Sequence, residues 1–191
     1  DAANSISLAA TGQSEAVIGH VLISATNLMA THFLPPVLKK LRTTAPDLKI
    51  EIIASNELSD LRRREADIAI RHSRPKDETL FAKRLRDTKA HLFASKEYLD
   101  EVGRPKTLAD LEKLKFVGFD QPELRLGLMA SRGVNLTTEN FNFSTSSATL
   151  TLKLVRQGFG IGILPIEIGV DYPELENPSS AFEPISIETW L

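Results

Sequence analysis

The 191-residue sequence contains no cysteine, and this absence excludes several kinds of chemistry. Without thiols the chain cannot form disulfide bonds, bind a metal through thiolates or use a cysteine nucleophile. The absence is also typical of a reducing compartment, so we expect a cytoplasmic protein. Apolar runs are short as well, and the sequence therefore predicts no membrane-spanning helix and no membrane partner.

An excess of charge of one sign is also lacking. The 23 lysines and arginines nearly balance the 25 aspartates and glutamates, and the net charge is −2. Because each phosphate contact in a nucleic-acid complex needs a cation, we expect no DNA binding by this stretch itself. The apolar share of 42% and the charged share of 25% are ordinary for a globular protein. The length suffices for one sizeable domain or two small lobes.

Groups that carry catalysis or hold cofactors are sparse. The four histidines have no spacing typical of metal ligands, and no serine lies in a nucleophile elbow. The glycines at 158–162 follow a predicted helix and precede a predicted strand, the reverse of a dinucleotide-binding loop. The sequence therefore predicts no cofactor, no metal site and no catalytic residues.

The chain does contain a clear strand, turn and helix at residues 20–36. Apolar residues 21–23 predict the strand, and Thr26 or Asn27 suits the N-cap of the following helix. Helix N-termini attract anionic or polar groups, and ligands gather at the carboxyl ends of strands in open α/β sheets. We therefore expect Thr26 and Asn27 to face a pocket, although capping alone also explains both residue types.

Strand and helix patterns alternate over residues 20–71. The predicted elements after the first strand are a helix at 33–43 with Pro35 and Pro36 in its first turn, a half-buried or edge strand at 48–54, a helix at 57–65, and a central parallel strand at 66–71. This β-α-β-α-β order predicts a parallel sheet with right-handed crossovers.

A second β-α-β set follows over residues 114–170. The predicted elements beyond 71 are strands at 80–86 and 90–95, a helix with a capping box at 107–110, strands at 115–119 and 140–143, a helix from the hydroxyl cluster 144–147 to residue 157, strands at 161–164 and 185–191, and a short helix opened by Pro165. The sequence thus predicts an α/β protein with two Rossmann-like lobes and a cleft between them.

Five motifs carry a resemblance to a known family. They are, in order, GHVLISA, FLPPVLKKLRTTAPDLKIEI, DLRRREADIAIR, LFASKEYL and LVRQGFGIGILP. Their order and spacing over residues 19–170 resemble the effector-binding domain of LysR-type transcriptional regulators. The resemblance implies a fold like the type II periplasmic binding proteins. It divides the chain into a linker end at 1–18, lobe I at 19–92, lobe II at 93–184 and a crossover strand at 185–191.

The resemblance also implies a function and partners. The chain would be the ligand-sensing domain of a bacterial DNA-binding regulator that binds a small-molecule effector, with carboxylates as one candidate class. DNA would be bound only through an N-terminal winged helix-turn-helix, and a C-terminal helix would follow, so we expect the sequence to be a fragment. Two alternatives stay open at this point: a free solute-binding protein of the periplasmic type, and an enzyme on the same scaffold.

The effector site implied by the family lies between the lobes. Hydroxyl and amide groups at two strand-to-helix turns would contact the ligand, apolar walls would flank it, and an arginine at the end of the 66–71 strand would pair with a carboxylate. A surface ion pair is the alternative role of that arginine. The predicted contacts are Thr26, Asn27, Leu28, Arg71, Phe119, Ser144 and Ser146.

Self-association is a further expectation, as a homodimer or homotetramer. The strand at 48–54 is a candidate sheet edge and carries Ile53 on its otherwise polar face. In the family this strand and the preceding helix pack against the second lobe of another copy. Here that partner surface would be the helix through Leu150, Leu154 and Gln157.

Overall fold

A computed structural model describes residues 17–56, 66–75, 77, 79–85, 87–119 and 121–191. Residues 1–16 of the predicted linker and the predicted helix at 57–65 lie outside the described residues, as does the side chain of Phe119. No helix among the described residues is long and apolar enough to cross a membrane.

The first lobe is built on a parallel sheet. Its elements are β1 (Gly19–Ala25), α1 (Asn27–His32), α2 (Leu34–Thr44), β2 (Leu48–Ala54) and β3 (Ile68–Ile70). Both β2 and β3 pair with β1 in parallel, which confirms the predicted β-α-β arrangement. In the described sheet β1 lies between β2 and β3, and on the other side of the predicted strand at 66–71 the backbone of Arg71 pairs with Trp190. The predicted cover on both faces is incomplete, because Ile68 of β3 keeps 36% of its surface exposed.

Local signals explain where the first helices begin. The hydroxyl of Thr26 accepts a hydrogen bond from the Met29 amide at 3.4 Å, so Thr26 is the N-cap of α1. The chain turns at Phe33, and α2 begins with Pro35 and Pro36 in its first turn. Prolines are tolerated there because the first amides of a helix have no intrahelical acceptor.

The second lobe combines antiparallel and parallel strands. Its elements are β4 (Thr88–Ser95), α3 (Lys96–Val102), α4 (Leu108–Leu111), β5 (Phe116–Phe119), α5 (Pro122–Ala130), a 3-10 turn (Thr138–Asn140), β6 (Phe141–Thr145), α6 (Ala148–Arg156), β7 (Gly162–Pro165), α7 (Ile166–Gly169), β8 (Leu175–Glu176) and β9 (Ile185–Ile187). Strand β4 pairs antiparallel with β7, β8 and β9, whereas β5 pairs in parallel with β6. The lobe boundaries named above remain predictions.

Two predicted details of this half differ in outcome. The capping box at Thr107 and Asp110 is confirmed, and hydrogen bonds from Thr107 and Lys113 lower the pKa of Asp110 to about 2. The strand predicted at 80–86 is not a regular element over its described residues, 80–85. Its backbone instead hydrogen-bonds to the last residues of the chain, with Lys83 paired to Leu191 at 2.8 and 2.9 Å.

Buried apolar residues form separate clusters in the two lobes, and a third cluster joins the lobes. Ile23, Ala25, Met29 and Leu34 pack together in the first lobe. Leu28 is on the same helix as Met29 but packs among second-lobe residues, namely Phe93, Val117, Leu152, Val155, Leu164, Ile168 and Leu175. The lobes are therefore held together by apolar packing as well as by the connecting strands.

Candidate functional site

The carboxyl ends of the three first-lobe strands lie side by side. Ala25 of β1 pairs with Ala54 of β2 and with Ile70 of β3, so the residues that follow these strands meet at one edge. Thr26 and Asn27 follow β1, Ser55 and Asn56 follow β2, and Arg71 follows β3. This is the edge at which open α/β sheets bind ligands.

The turn after β1 places Thr26 and Asn27 as predicted, at the start of α1. Both residues are half-buried, and Thr26 caps the helix. The amide of Asn27 donates a hydrogen bond of 3.2 Å to Oδ1 of Asn56. Asn56 therefore belongs to this edge, and our prediction from the sequence did not include it. Its position directly after an edge strand, beside Ser55, is the signal that pointed to it.

Arg71 is buried rather than exposed at this edge. Only 4% of its surface is accessible, and Nη2 donates a 2.7 Å hydrogen bond to the hydroxyl of Ser24, which is fully buried. Nη1 donates to the carbonyl of Ile70 at 3.0 Å, and the Arg71 backbone pairs with Trp190. The burial of Arg71 places its guanidinium away from the surface position that the alternative of a surface ion pair assumed. The guanidinium connects β1 and β3 of the first-lobe sheet through its hydrogen bonds to Ser24 and Ile70.

The hydroxyl cluster at residues 144–147 divides between a strand and a turn. Ser144 and Thr145 are the last residues of β6, whereas Ser147 is the N-cap of α6 and accepts from the Leu150 amide at 3.2 Å. The predicted contacts Ser144 and Ser146 are both exposed. Neither is consumed by capping, so both hydroxyls are accessible to a bound molecule.

A second arginine, Arg125, lies beside Ser144. It is on α5, and Nη1 is 3.5 Å from the Ser144 hydroxyl, a long contact. Its guanidinium carbon is 3.9 Å from the centre of the Phe141 ring, which is a cation–π geometry. A Cβ atom on Gly118 would overlap this guanidinium, so glycine makes room for it. Arg125 was not among the contacts predicted from the sequence, and its place one turn into the helix after β5 is the available signal.

The turn between β5 and α5 has an unusual backbone. Gln121 precedes α5 with φ of 74° and ψ of 73°, in the left-handed region. Residues other than glycine adopt this conformation uncommonly, and such outliers cluster at functional sites. Gln121 lies just beyond β5, at the end of the sheet where Gly118 of β5 pairs with Ser144 of β6.

Asn56 connects the carboxyl end of the first-lobe sheet with the turn between β6 and α6 of the second lobe. Its Nδ2 donates a 3.0 Å hydrogen bond to the carbonyl of Ser146, across the space between the lobes. The structure thus brings together the predicted residues Thr26, Asn27 and Ser146. It places Leu28 differently, because this side chain is 6% exposed and packs inside the second-lobe cluster rather than lining an open wall.

The described residues give no sign of a metal centre. No group of three or more histidine, cysteine, aspartate or glutamate side chains among them is arranged to hold an ion. The groups described at the cleft offer hydrogen bonding, from hydroxyls, backbone groups and a carboxamide, and the guanidinium of Arg125 lies beside Ser144.

Comparison with known proteins agrees with this geometry. The profile of the LysR substrate binding domain family matches residues 14–186. HTH-type transcriptional regulator CrgA from Neisseria meningitidis serogroup C is 27% identical over 147 residues, which are 76% of this chain and 49% of CrgA. The chain thus spans about half the length of the curated relatives it matches.

Solved structures share the fold. The regulatory domain of CrgA from Neisseria meningitidis superposes with a TM-score of 0.73 at 22% identity, covering 91% of this chain and 88% of that domain. The effector domain of AmpR from Pseudomonas aeruginosa gives 0.73 at 16% identity, covering 90% and 84%. With the two-lobed fold in place and the family profile matched over nearly the whole chain, the chain belongs to the LysR substrate binding domain family.

Proposed function

We propose that this domain senses a small-molecule effector for a bacterial LysR-type transcriptional regulator, and that the effector binds between its lobes. The observation that carries the proposal is the meeting of polar groups from both lobes at one edge, where Asn56 reaches Ser146. Relatives such as CrgA are transcriptional regulators rather than enzymes. DNA binding then belongs to other parts of the full-length regulator, which acts in the cytoplasm, in agreement with the −2 charge of this stretch.

The proposed ligand is a small polar molecule, more suitably an anion than a cation. Arg125 supplies the positive charge on the second-lobe wall beside Ser144, and a guanidinium can pair with a carboxylate in bidentate geometry. Arg71 is less suited to this role because it is buried against Ser24. Thr26 and Asn27 supply the opposing polar groups of the first lobe.

An effector that contacts both lobes acts by shifting a population. It stabilises one lobe orientation over another by no more than the difference in its affinity for the two. In a regulator whose DNA-binding parts are attached to this domain, altered association of the domains changes the spacing between bound half-sites.

The first prediction tests the cleft by substitution. A thermal-shift screen of carboxylates and their uncharged amides should identify a ligand, and calorimetry should then show that Thr26→Ala and Ser144→Ala each raise its Kd about 2- to 12-fold, the equivalent of one hydrogen bond. Thr26→Ala should also lower stability by about 1 kcal/mol through the lost cap.

Thr107→Ala is the matched control for this test. Thr107 caps α4 through the Asp110 amide at 3.2 Å, so its loss removes an equivalent cap outside the cleft. Ligand affinity should be unchanged in this variant. If the ligand binds Thr26→Ala and Ser144→Ala as tightly as the parent chain, the proposed cleft is wrong.

The face through which the domain self-associates is the second part of the proposal. An apolar groove runs between α2 and β2, and its lining residues are Leu38, Arg42, Ala45, Pro46, Leu48, Ile50 and Ile52. Ile53 was predicted on the outward face of β2, but Ile53 is half-buried and Ile52 is 38% exposed. We propose that a second copy covers this groove with the face of α6 that carries Leu150, which is 44% exposed.

The second prediction concerns this face. Ile52→Lys places a charge in the groove and should raise the dimer Kd at least about tenfold, or about 1.4 kcal/mol, because an unpaired charge would be desolvated on association. Sedimentation velocity over a concentration series measures this. Val170→Lys is the control, since Val170 is 66% exposed and is not among the groove residues. Equal association of both variants would contradict the proposed face.

A further inference from the structure

We propose that Asn56 is a latch that holds the two lobes in the closed orientation. This inference concerns the closed state of the domain itself, and it does not depend on whether an effector binds there. The carboxamide of Asn56 bridges a backbone donor of the first lobe and a backbone acceptor of the second. Asn56 is therefore a positioning residue, because it acts on the orientation of the two lobes.

The geometry defines both halves of the bridge. Oδ1 of Asn56 accepts from the Asn27 amide at 3.2 Å, and Nδ2 donates to the Ser146 carbonyl at 3.0 Å. The orientation of the carboxamide is fixed, because a backbone amide can only donate and a carbonyl can only accept. The second contact joins residues 90 positions apart in the sequence.

Asn56 is held firmly on the first-lobe side. The preceding residue, Ser55, donates its amide to the carbonyl of Ala25 at 2.9 Å, which continues the pairing of β2 with β1. The Asn56 side chain therefore projects from the end of a sheet, and of its two described hydrogen bonds the one to Ser146 crosses to the other lobe. Breaking that bond removes one tie between the lobes and leaves the first-lobe sheet unchanged.

Both partners of Asn56 are backbone groups. Substitutions at positions 27 and 146 leave the amide and the carbonyl in place, so the latch depends on the side chain at position 56 alone. A carboxamide is the group this position requires, because it presents a donor and an acceptor together. Aspartate keeps the acceptor for Asn27 but has no donor for Ser146, and alanine has neither.

The hydrogen bonds of the latch are exposed to solvent. Asn56 and Ser146 are both exposed, so water competes for each half of the bridge and the contact can open. An effector that bonds to the Ser146 carbonyl or the Asn27 amide also competes with Asn56. This last consequence rests on the proposed function, whereas the latch itself does not.

The experiment measures the distance between the lobes without any ligand. The chain has no cysteine, so Lys40→Cys on α2 and Glu97→Cys on α3 provide two exposed helical sites for spin labels in an otherwise unchanged protein. Pulsed electron spin resonance should show that Asn56→Ala shifts the closed-to-open ratio about 2- to 12-fold toward open, the value of one net hydrogen bond. Asn56→Asp should shift it at least as far, since a carboxylate repels the Ser146 carbonyl.

Controls separate the latch from a general effect of substitution. Asn142→Asp adds the same charge at an exposed position of β6 and should leave the distance distribution unchanged. Hydrogen exchange at the Asn27 amide should accelerate in Asn56→Ala but not in Asn56→Asp, which keeps the acceptor. The series is repeated with Leu28→Ala, because loss of this apolar contact raises the open population and makes small shifts measurable.

The latch is overturned if Asn56→Ala and Asn56→Asp give the parent distance distribution in both backgrounds. Faster exchange at Asn27 in Asn56→Ala with unchanged distances would also overturn it, since the contact would then exist without holding the lobes. A failed ligand screen would leave this result untouched, because no ligand enters the measurement.

Discussion

Leu28→Ala is expected to lower the free energy of unfolding by about 2–5 kcal/mol and to open the lobes relative to each other. Leu28 is on α1 of the first lobe, yet it is 6% exposed and belongs to a buried cluster of second-lobe residues that includes Phe93 and Leu152. Truncation removes this packing and leaves a cavity between the lobes. Urea unfolding measures the stability, and spin-label distances between α2 and α3 measure the opening.

Met29→Ala is the matched control for Leu28→Ala. The two residues are neighbours on α1 and are equally buried at 6% exposure, but Met29 packs in the first-lobe cluster with Ile23 and Leu34. Met29→Ala should therefore destabilise the protein without changing the distance between the lobes. If both variants open the lobes equally, the packing of Leu28 has no specific part in holding the lobes together.

Arg71→Ala is expected to lower the free energy of unfolding by about 1–3 kcal/mol even in the absence of any ligand. The Arg71 guanidinium donates a 2.7 Å hydrogen bond to Ser24, whose hydroxyl is fully buried. Removing the guanidinium leaves that hydroxyl without this donor in a place that water does not reach. Chemical unfolding followed by circular dichroism measures the loss.

Adding Ser24→Ala tests the assigned cause. If the orphaned hydroxyl is responsible, the double variant Ser24→Ala with Arg71→Ala should be more stable than the sum of the single effects predicts. Additive effects would show that the Arg71 guanidinium stabilises the fold through other contacts. Unchanged stability of Arg71→Ala would mean that its buried position contributes nothing.

The parts of the fold that the sequence predicted well depend on neighbouring residues. The cap at Thr26 and the capping box of Thr107 with Asp110 each form within three positions of the chain. Proline tolerance in the first turn of α2 is likewise a property of the local backbone. The parallel order of the first lobe followed from the alternation of helices and strands, which constrains handedness.

The candidate site depended on contacts that no local pattern contains. Periodicity identified Leu28 as apolar, but it carries no information about which lobe a side chain packs into. Arg71 was placed at the end of a strand, but its depth is set by Ser24, 47 positions away. Asn56 meets Ser146 only after both lobes have formed. The same limit applied to the faces of β2. The alternation of apolar and polar residues alone did not decide whether Ile52 or Ile53 is the more exposed.

The position of the Arg125 guanidinium depends on Gly118 as well as on Arg125 itself. A side chain at position 118 would occupy the volume that the guanidinium fills above the Phe141 ring. A larger residue at position 118 would therefore displace the guanidinium from its place above the ring, and glycine followed by arginine seven residues later is the combination that permits this arrangement. This pairing gives a sequence marker by which family members with the same arginine placement can be grouped before any of their ligands is known.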